Sequence, residues 1–370
     1  MAAVWQTAAA RCQPIYLPPR GPPSAGHNAR LRCLVSGAWA GGPPFCSVAI
    51  VNVADSVVVP FDQLPVLPGS GLRHAWDVWG PGDNLGTLNR LTGPVVAAAA
   101  TAVRTGERVG LTLPLGLPDP PFFGRQGYRH SFTPMGPHAW DDWVDGFYLQ
   151  CSSQWDGLRH VGSGPDGWYG GWRGQPEADL EPLGIHHWAQ RGIIGRGVLV
   201  DLAGPRDGTG YDPFSRVAFT PGDIAAALDA QGSALRFGDI LCVRTGWADR
   251  YLALDAAARR ELAATMVTVS GYTSAGLAGS EEMARFLWDA GLAAVPCDNP
   301  AVEVVPSDPA QGFLHRRLIP HLGFAIGELF DFGPLARACR RERRYEFLFT
   351  SVPLNVTGAI GSPANAVAIL

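Results

Sequence analysis

The stretch Gln150-Cys151-Ser152-Ser153-Gln154-Trp155-Asp156-Gly157-Leu158-Arg159-His160 gathers an acid, a histidine, an arginine and two glutamines around one glycine. Tyr148 and Leu149 before it suggest the end of a strand, and Val161-Gly162-Ser163-Gly164-Pro165-Asp166-Gly167 after it reads as loop, because its glycines and proline interrupt regular structure. A strand running into such a polar turn is where rigid scaffolds present reactive groups. Two readings stay open at this point. In one the turn carries chemistry. In the other Asp156 caps the turn and His160 is a hydrogen-bonded core histidine.

Working outward, apolar runs ending in polar exits alternate with capped helical segments. Gly197 to Leu202, Asp239 to Trp247, Leu292 to Asn299, Phe324 to Leu329 and Tyr345 to Ser351 read as strands, three of them closing on an acid. Thr220-Pro221-Gly222-Asp223 starts a helix that runs to Gly232, and Ser280 starts another that ends by Gly291. Thr92 is expected to cap a helix from Pro94 to about Thr105, and Val109 to Leu115 to form a strand. His315 to Leu322 reads as a helical turn, Gly361 to Asn365 as a terminal turn, and Ile185 to Gly192 as a short helix. Adjacent helical residues project about 100° apart, so His186 and His187 are not expected to share one metal. The aromatic and acidic segment His130 to Asp145 and the cluster Trp168, Tyr169 and Trp172 flank the central turn, which suggests a flat, apolar ligand. Strands and helices alternate without a repeat period, the pattern of one large α/β domain.

Residues 1–55 differ. Pro18-Pro19-Arg20-Gly21-Pro22-Pro23 and isolated apolar patches read as a disordered extension ahead of a domain at 56–370, and no charged start with a sustained apolar core marks a secretory signal. The net charge of −4, without basic runs, argues against nucleic acid as a partner. No apolar run is long enough to span a membrane. The seven cysteines form no CxxC pair, so reduced thiols and a cytoplasmic location are expected.

The ordered series Trp79-Gly80, Leu85-Gly86-Thr87-Leu88-Asn89, Gln154-Trp155-Asp156-Gly157 with His160, Arg196 to Asp201, Arg244-Thr245-Gly246-Trp247 and Gly361-Ser362-Pro363 resembles the cyclase family that includes the bacterial kynurenine formamidases and isatin hydrolase. The resemblance covers residues 57–370. It implies that family's swivelling β/β/α fold, assembled as a homodimer or homotetramer, acting on a small aromatic or cyclic substrate. Metal-dependent members carry H-x-G-T-H-x-D-x-P-x-H, whose first two histidines and aspartate bind divalent cations. On that pattern Asp156 and His160 fall on the aspartate and the last histidine, whereas Gln150 and Gln154 stand where the two ligand histidines belong. The segment before the later helix, residues 270–277, also lacks the histidine those members use. Amide oxygens are weak ligands that favour hard ions. The expected cofactor is therefore either one weakly bound divalent cation (Mn or Zn) on Asp156, Gln154 and Gln150, or none.

Three functions follow from these residues. The first is hydrolysis of a C–N bond in a small amide, formamide or cyclic amide, as in an arylformamidase. His160 would be the base, Asp156 and Gln154 would be catalytic partners, and Gln150, Trp155, Arg159 and Trp168 would contact the substrate. The second is a non-hydrolytic cyclisation or isomerisation with His160 as base, and the third is a catalytically inactive small-molecule-binding protein.

Overall fold

Short apolar runs buried on both faces form the centre of the protein. The computed structural model describes residues 58–370 except 207, 269 and 270, and all of them belong to one compact unit, Cys46–Leu370. The expected extension at 1–55 lies outside the described residues. In chain order the strands are β1 (Arg108–Gly110), β2 (Arg129–Gly136), β3 (Ala139–Asp145) and β4 (Gln154–Asp156). Then come β5 (Ile193–Asp201), β6 (Ala218–Phe219), β7 (Ile240–Arg244), β8 (Gly276–Leu277) and β9 (Ala294–Pro296). The last are β10 (Ala325–Glu328), β11 (Glu346–Ser351), β12 (Gly361–Pro363) and β13 (Ala366–Ile369). Nine of them make one mixed sheet in the order β1-β13-β11-β5-β7-β9-β10-β4-β12. Its centre, β5-β7-β9-β10, is parallel, and the flanks are antiparallel.

Among the described residues the α-helices are α1 (Gly93–Ala99), α2 (His186–Arg191), α3 (Pro221–Gln231), α4 (Trp247–Leu252), α5 (Ala256–Thr265), α6 (Glu281–Asp289), α7 (Leu314–Arg316) and α8 (Gly333–Glu342). The pleat sends alternate side chains into two cores. Val198, Val200, Leu241, Val243, Val295 and Ile326 face one side, where α3 and α6 cover them. Leu199, Ile240, Ala294 and Ala325 face the other, against Val95 of helix Gly93–Ala99 and Leu335, Ala336 and Cys339 of helix Gly333–Glu342. Each fully buried aliphatic chain contributes about 1.5–3 kcal/mol. Two caps appear where the sequence places them. Thr220 and Asp223 form a reciprocal capping box at the start of α3, and the Ser280 hydroxyl accepts from Met283 N at 3.2 Å. Among the described residues no helix is long and apolar enough to cross a membrane.

Five expectations need correction. Gly361 to Asn365, read as a terminal turn, begins as strand β12, paired with β4, and Tyr148 and Leu149 do not end a strand, the strand being β4 within the stretch read as a turn. Thr92 holds the N-cap position without a side-chain cap, and its helix gives way to a single 3₁₀ turn, Ala100–Ala102, well short of Thr105. The strand expected at Val109 to Leu115 is only β1, because at Thr112 the chain leaves β13 and bridges to Phe330. The segment from His130 to Asp145, expected to flank the central turn, sends His130 into a cavity separate from the one over Asp156. The segment is the hairpin β2–β3, exposed along nearly all its length, with Trp140 67% and Met135 62% accessible.

Candidate active site

Gln154, Trp155 and Asp156 are β4 itself, wholly buried between β10 and β12. Strand alternation turns Gln154 and Asp156 to one face and Trp155 to the other. Trp155 enters the core against Phe330 and Phe349, and its indole N–H donates to Ser351 Oγ at 2.8 Å. After Asp156 the chain turns sharply. Gly157 N donates to Ile360 O at 3.0 Å, so close that a Cβ on Gly157 would lie 2.5 Å from that oxygen. His160 N then donates to Gly157 O, which brings the His160 imidazole back to 3.7 Å from Asp156 Oδ1.

The antiparallel register of β4 with β10 sets Glu328 opposite Gln154. The Gln154 amide donates to Glu328 Oε2 at 2.8 Å and approaches Asp156 Oδ1 at 3.5 Å. From the short helical segment Leu314–Arg316, His315 inserts between the acids. Its Nδ1 lies 2.6 Å from Glu303 Oε2, and its Nε2 lies 3.1 Å from Glu328 Oε1 and 3.7 Å from Asp156 Oδ2. Glu303, His315 and Glu328 are buried, and none of them is among the site residues expected from the sequence. Two signals were available: the strand read at Phe324 to Leu329 closes on Glu328, and His315 opens the expected helical turn. What joins them to Asp156 is the β4–β10 pairing, which no local pattern encodes.

Burial and neighbouring charge divide the protonation states. Burial resists ionisation of Asp156, but His160 and His315 outweigh it and hold that carboxyl below the usual range. Burial lowers His160 despite Asp156, so its imidazole is neutral near pH 7. Burial opposes the charge on His315 too, yet Glu303, Asp156 and Glu328 hold it well above the ordinary histidine value. Burial, together with Asp156, pushes Glu328 up to about 7. The cluster opens into a cavity of about 350 Å³. His160, His315, Glu328 and Arg125 line its polar side, and Phe123, Val161, Val267, Val305 and Phe313 line its apolar side.

The other expected site residues stand elsewhere. Gln150 packs beside Gly361 of β12, and its carbonyl accepts from Arg125. Arg159 donates to the carbonyls of Pro176, Asp179, Pro182 and Gly358, fastening the loop before the short helix His186–Arg191. The Trp168 indole donates to Arg159 O, and its ring tilts against Trp172. None of Gln150, Trp155, Arg159 and Trp168 lines the cavity over the acid cluster. His186 and His187 lie closer than the helical wheel implies, with ring centroids 4.1 Å apart and both Nε2 atoms 3.6 Å from Glu181. His186 Nδ1 accepts from Gly358 N–H and His187 Nε2 meets Glu181 O, but His186 Nε2 is buried without a hydrogen-bond partner, and Glu181, His186 and His187 each offer a ligand atom within 4.8 Å of the others, so the expectation that the two histidines do not share one metal is not upheld by their geometry.

The family model described as "Putative cyclase" matches residues 109–304, just over half of the chain. A crystal structure described as that of "a novel cyclase" is 31% identical, with a TM-score of 0.68, covering 80% of this chain and 99% of that one. The chain belongs to the cyclase family. The nine-stranded sheet is that family's fold, as the motif series implies. An isatin hydrolase bound to the product analogue thioisatinate shares the fold at 17% identity, with a TM-score of 0.50, covering 76% of this chain and 98% of that one. No curated protein matches the chain.

A metal of the kind bound by metal-dependent members of the cyclase family fits the buried cluster. One ligand atom from each of Asp156, His315 and Glu328 lies within 4.8 Å of the others. Asp156 Oδ2 and Gln154 Oε1 are buried without a hydrogen-bond partner. Glu303 fixes the Nδ1 side of the His315 ring, as carboxylates commonly do behind metal-bound imidazole. Two carboxylates, one imidazole and one amide oxygen suit Mn²⁺ or Zn²⁺.

Proposed function

We propose that the protein is a hydrolase of a C–N bond in a small amide, formamide or cyclic amide. The observation that carries this reading is the neutral His160 standing over a buried Asp156–His315–Glu328 cluster at the edge of a mostly apolar cavity. Water adds to the carbonyl carbon while His160 Nε2 takes its proton. The imidazolium, steadied by Asp156 beside it, returns that proton to the nitrogen as the C–N bond breaks, leaving a carboxylic acid and an amine. Gln154 orients the acids, since its amide N–H groups face Glu328 and Asp156 and are not available to a developing oxyanion. A divalent ion held by Asp156, His315 and Glu328 would supply Lewis acidity and a more acidic water. The apolar walls shield the reacting carbonyl from bulk solvent.

One observation favours a second reading. A carboxyl with a pKa of about 7 and a neutral imidazole in one cavity also suit proton transfer in a cyclisation or isomerisation. The test is an absorbance assay of the full chain, purified without chelator, against N-formyl arylamines and isatin-type cyclic amides. It is repeated after EDTA and after adding back Mn²⁺ or Zn²⁺. Turnover that Glu328→Gln abolishes supports the hydrolase. No turnover of any amide under any metal condition overturns it in favour of the second reading.

A further inference from the structure

The cavity over the acid cluster has a second polar feature that the hydrolytic chemistry does not use. Arg125 is the one arginine or lysine among its described lining residues. The guanidinium is held from two sides: Nη1 donates to Gln150 O, and Cζ sits 5.2 Å from the centre of the Phe123 ring. No carboxylate among the described residues pairs with it, although Asp156 and Glu328 are close enough to feel its charge. Most of its five N–H donors therefore remain for a ligand, in the planar fork that matches a carboxylate. Most of the remaining wall is apolar, and the Phe313 ring stacks on His315 with centroids 5.1 Å apart.

We propose that Arg125 binds a carboxylate on the substrate, so that the cavity selects small amides bearing an apolar, ring-sized body and a separate acid group. This rests on the hydrolase reading for which bond reacts, but not for the binding itself. A cavity of about 350 Å³ has room for one ring with two short substituents. The carboxylate would sit at Arg125 and the amide carbonyl at His160, both of which line this one cavity.

The probes are N-formylanthranilate and its methyl ester, which differ in the acid group alone, with binding to the full chain measured by calorimetry. The wild type should bind the acid about tenfold or more tightly than the ester, as a charge-assisted pair requires. Arg125→Met should remove that preference by weakening the acid and leaving the ester unchanged. Arg125→Lys should restore only part of it, because an ammonium lacks the fork. Equal wild-type affinities, no binding of either probe, or equal weakening of both in Arg125→Met would overturn the proposal, the last by showing that Arg125 serves as a counter-charge to the acids. An acid preference with no turnover of any amide under any metal condition would sink the hydrolase and leave this site standing. Turnover without an acid preference would do the reverse.

Discussion

Replacing Trp155 with Phe separates the two faces of β4. The indole is fully buried on the face away from the cavity, and its N–H donates to Ser351 Oγ at 2.8 Å. Losing that bond costs about 1 kcal/mol, because Ser351 still donates to Ala364 O and only an acceptor is left unpaired. The smaller ring leaves a void beside Phe330 and Phe349 that costs on the order of 1–2 kcal/mol more. Urea unfolding should therefore show about 2–3 kcal/mol of lost stability with an unchanged slope. Because Trp155 reaches no cavity atom, kcat/KM on any amide the wild type hydrolyses should stay within about threefold, less than 1 kcal/mol of transition-state energy. The opposite outcome, intact stability with a tenfold or larger fall in kcat/KM, would show that Trp155 touches the substrate and that the orientation of β4 is wrong.

Thr220→Ala should cost about 1 kcal/mol in urea unfolding by opening the capping box of α3. Burial pushes Asp223 up, but hydrogen bonds from Thr220 and Arg206 outweigh it and hold the carboxyl below the ordinary 3.8. Its contribution is thus present above that value and is lost as pH falls through the lower folded-state pKa, so Asp223→Asn should flatten the acid limb of stability against pH. Arg159→Lys should destabilise the chain by about 2–4 kcal/mol, since one ammonium cannot serve four carbonyls, and should expose residues 174–184 to limited proteolysis. Unaltered cleavage there would mean that the loop is held by other contacts.

The parallel centre of the sheet was legible because β5, β7, β9 and β10 are short apolar runs with polar exits, and α3 and α6 because Thr220 and Ser280 announce them. The helix Gly333–Glu342 was not, since its arginine-rich sequence shows few apolar residues and its buried stripe rests on Leu335, Ala336 and Cys339. The hairpin β2–β3 was hidden for the opposite reason: its aromatic residues suggested a pocket, yet Phe132, Met135, Trp140 and Trp143 are exposed. At the site, Asp156 and His160 could be read from one turn because four residues and a glycine bring them together. Glu303, His315 and Glu328 come from distant segments, and only tertiary pairing makes them neighbours of Asp156. Trp155 and Arg159 looked chemical for their residue types, but strand alternation and a ring of loop carbonyls give them structural positions.

The central claim is that His160, held over Asp156, carries the proton in the reaction. Its side chain is 26% exposed at the cavity and contacts Asp156 at 3.7 Å, so removing it disturbs little packing. The decisive measurement is kcat of His160→Asn on an amide that the wild type hydrolyses, with circular dichroism run alongside. A fall of about 10²–10⁴ in a fully folded variant is the predicted result. Unchanged kcat in a folded His160→Asn protein would contradict the account.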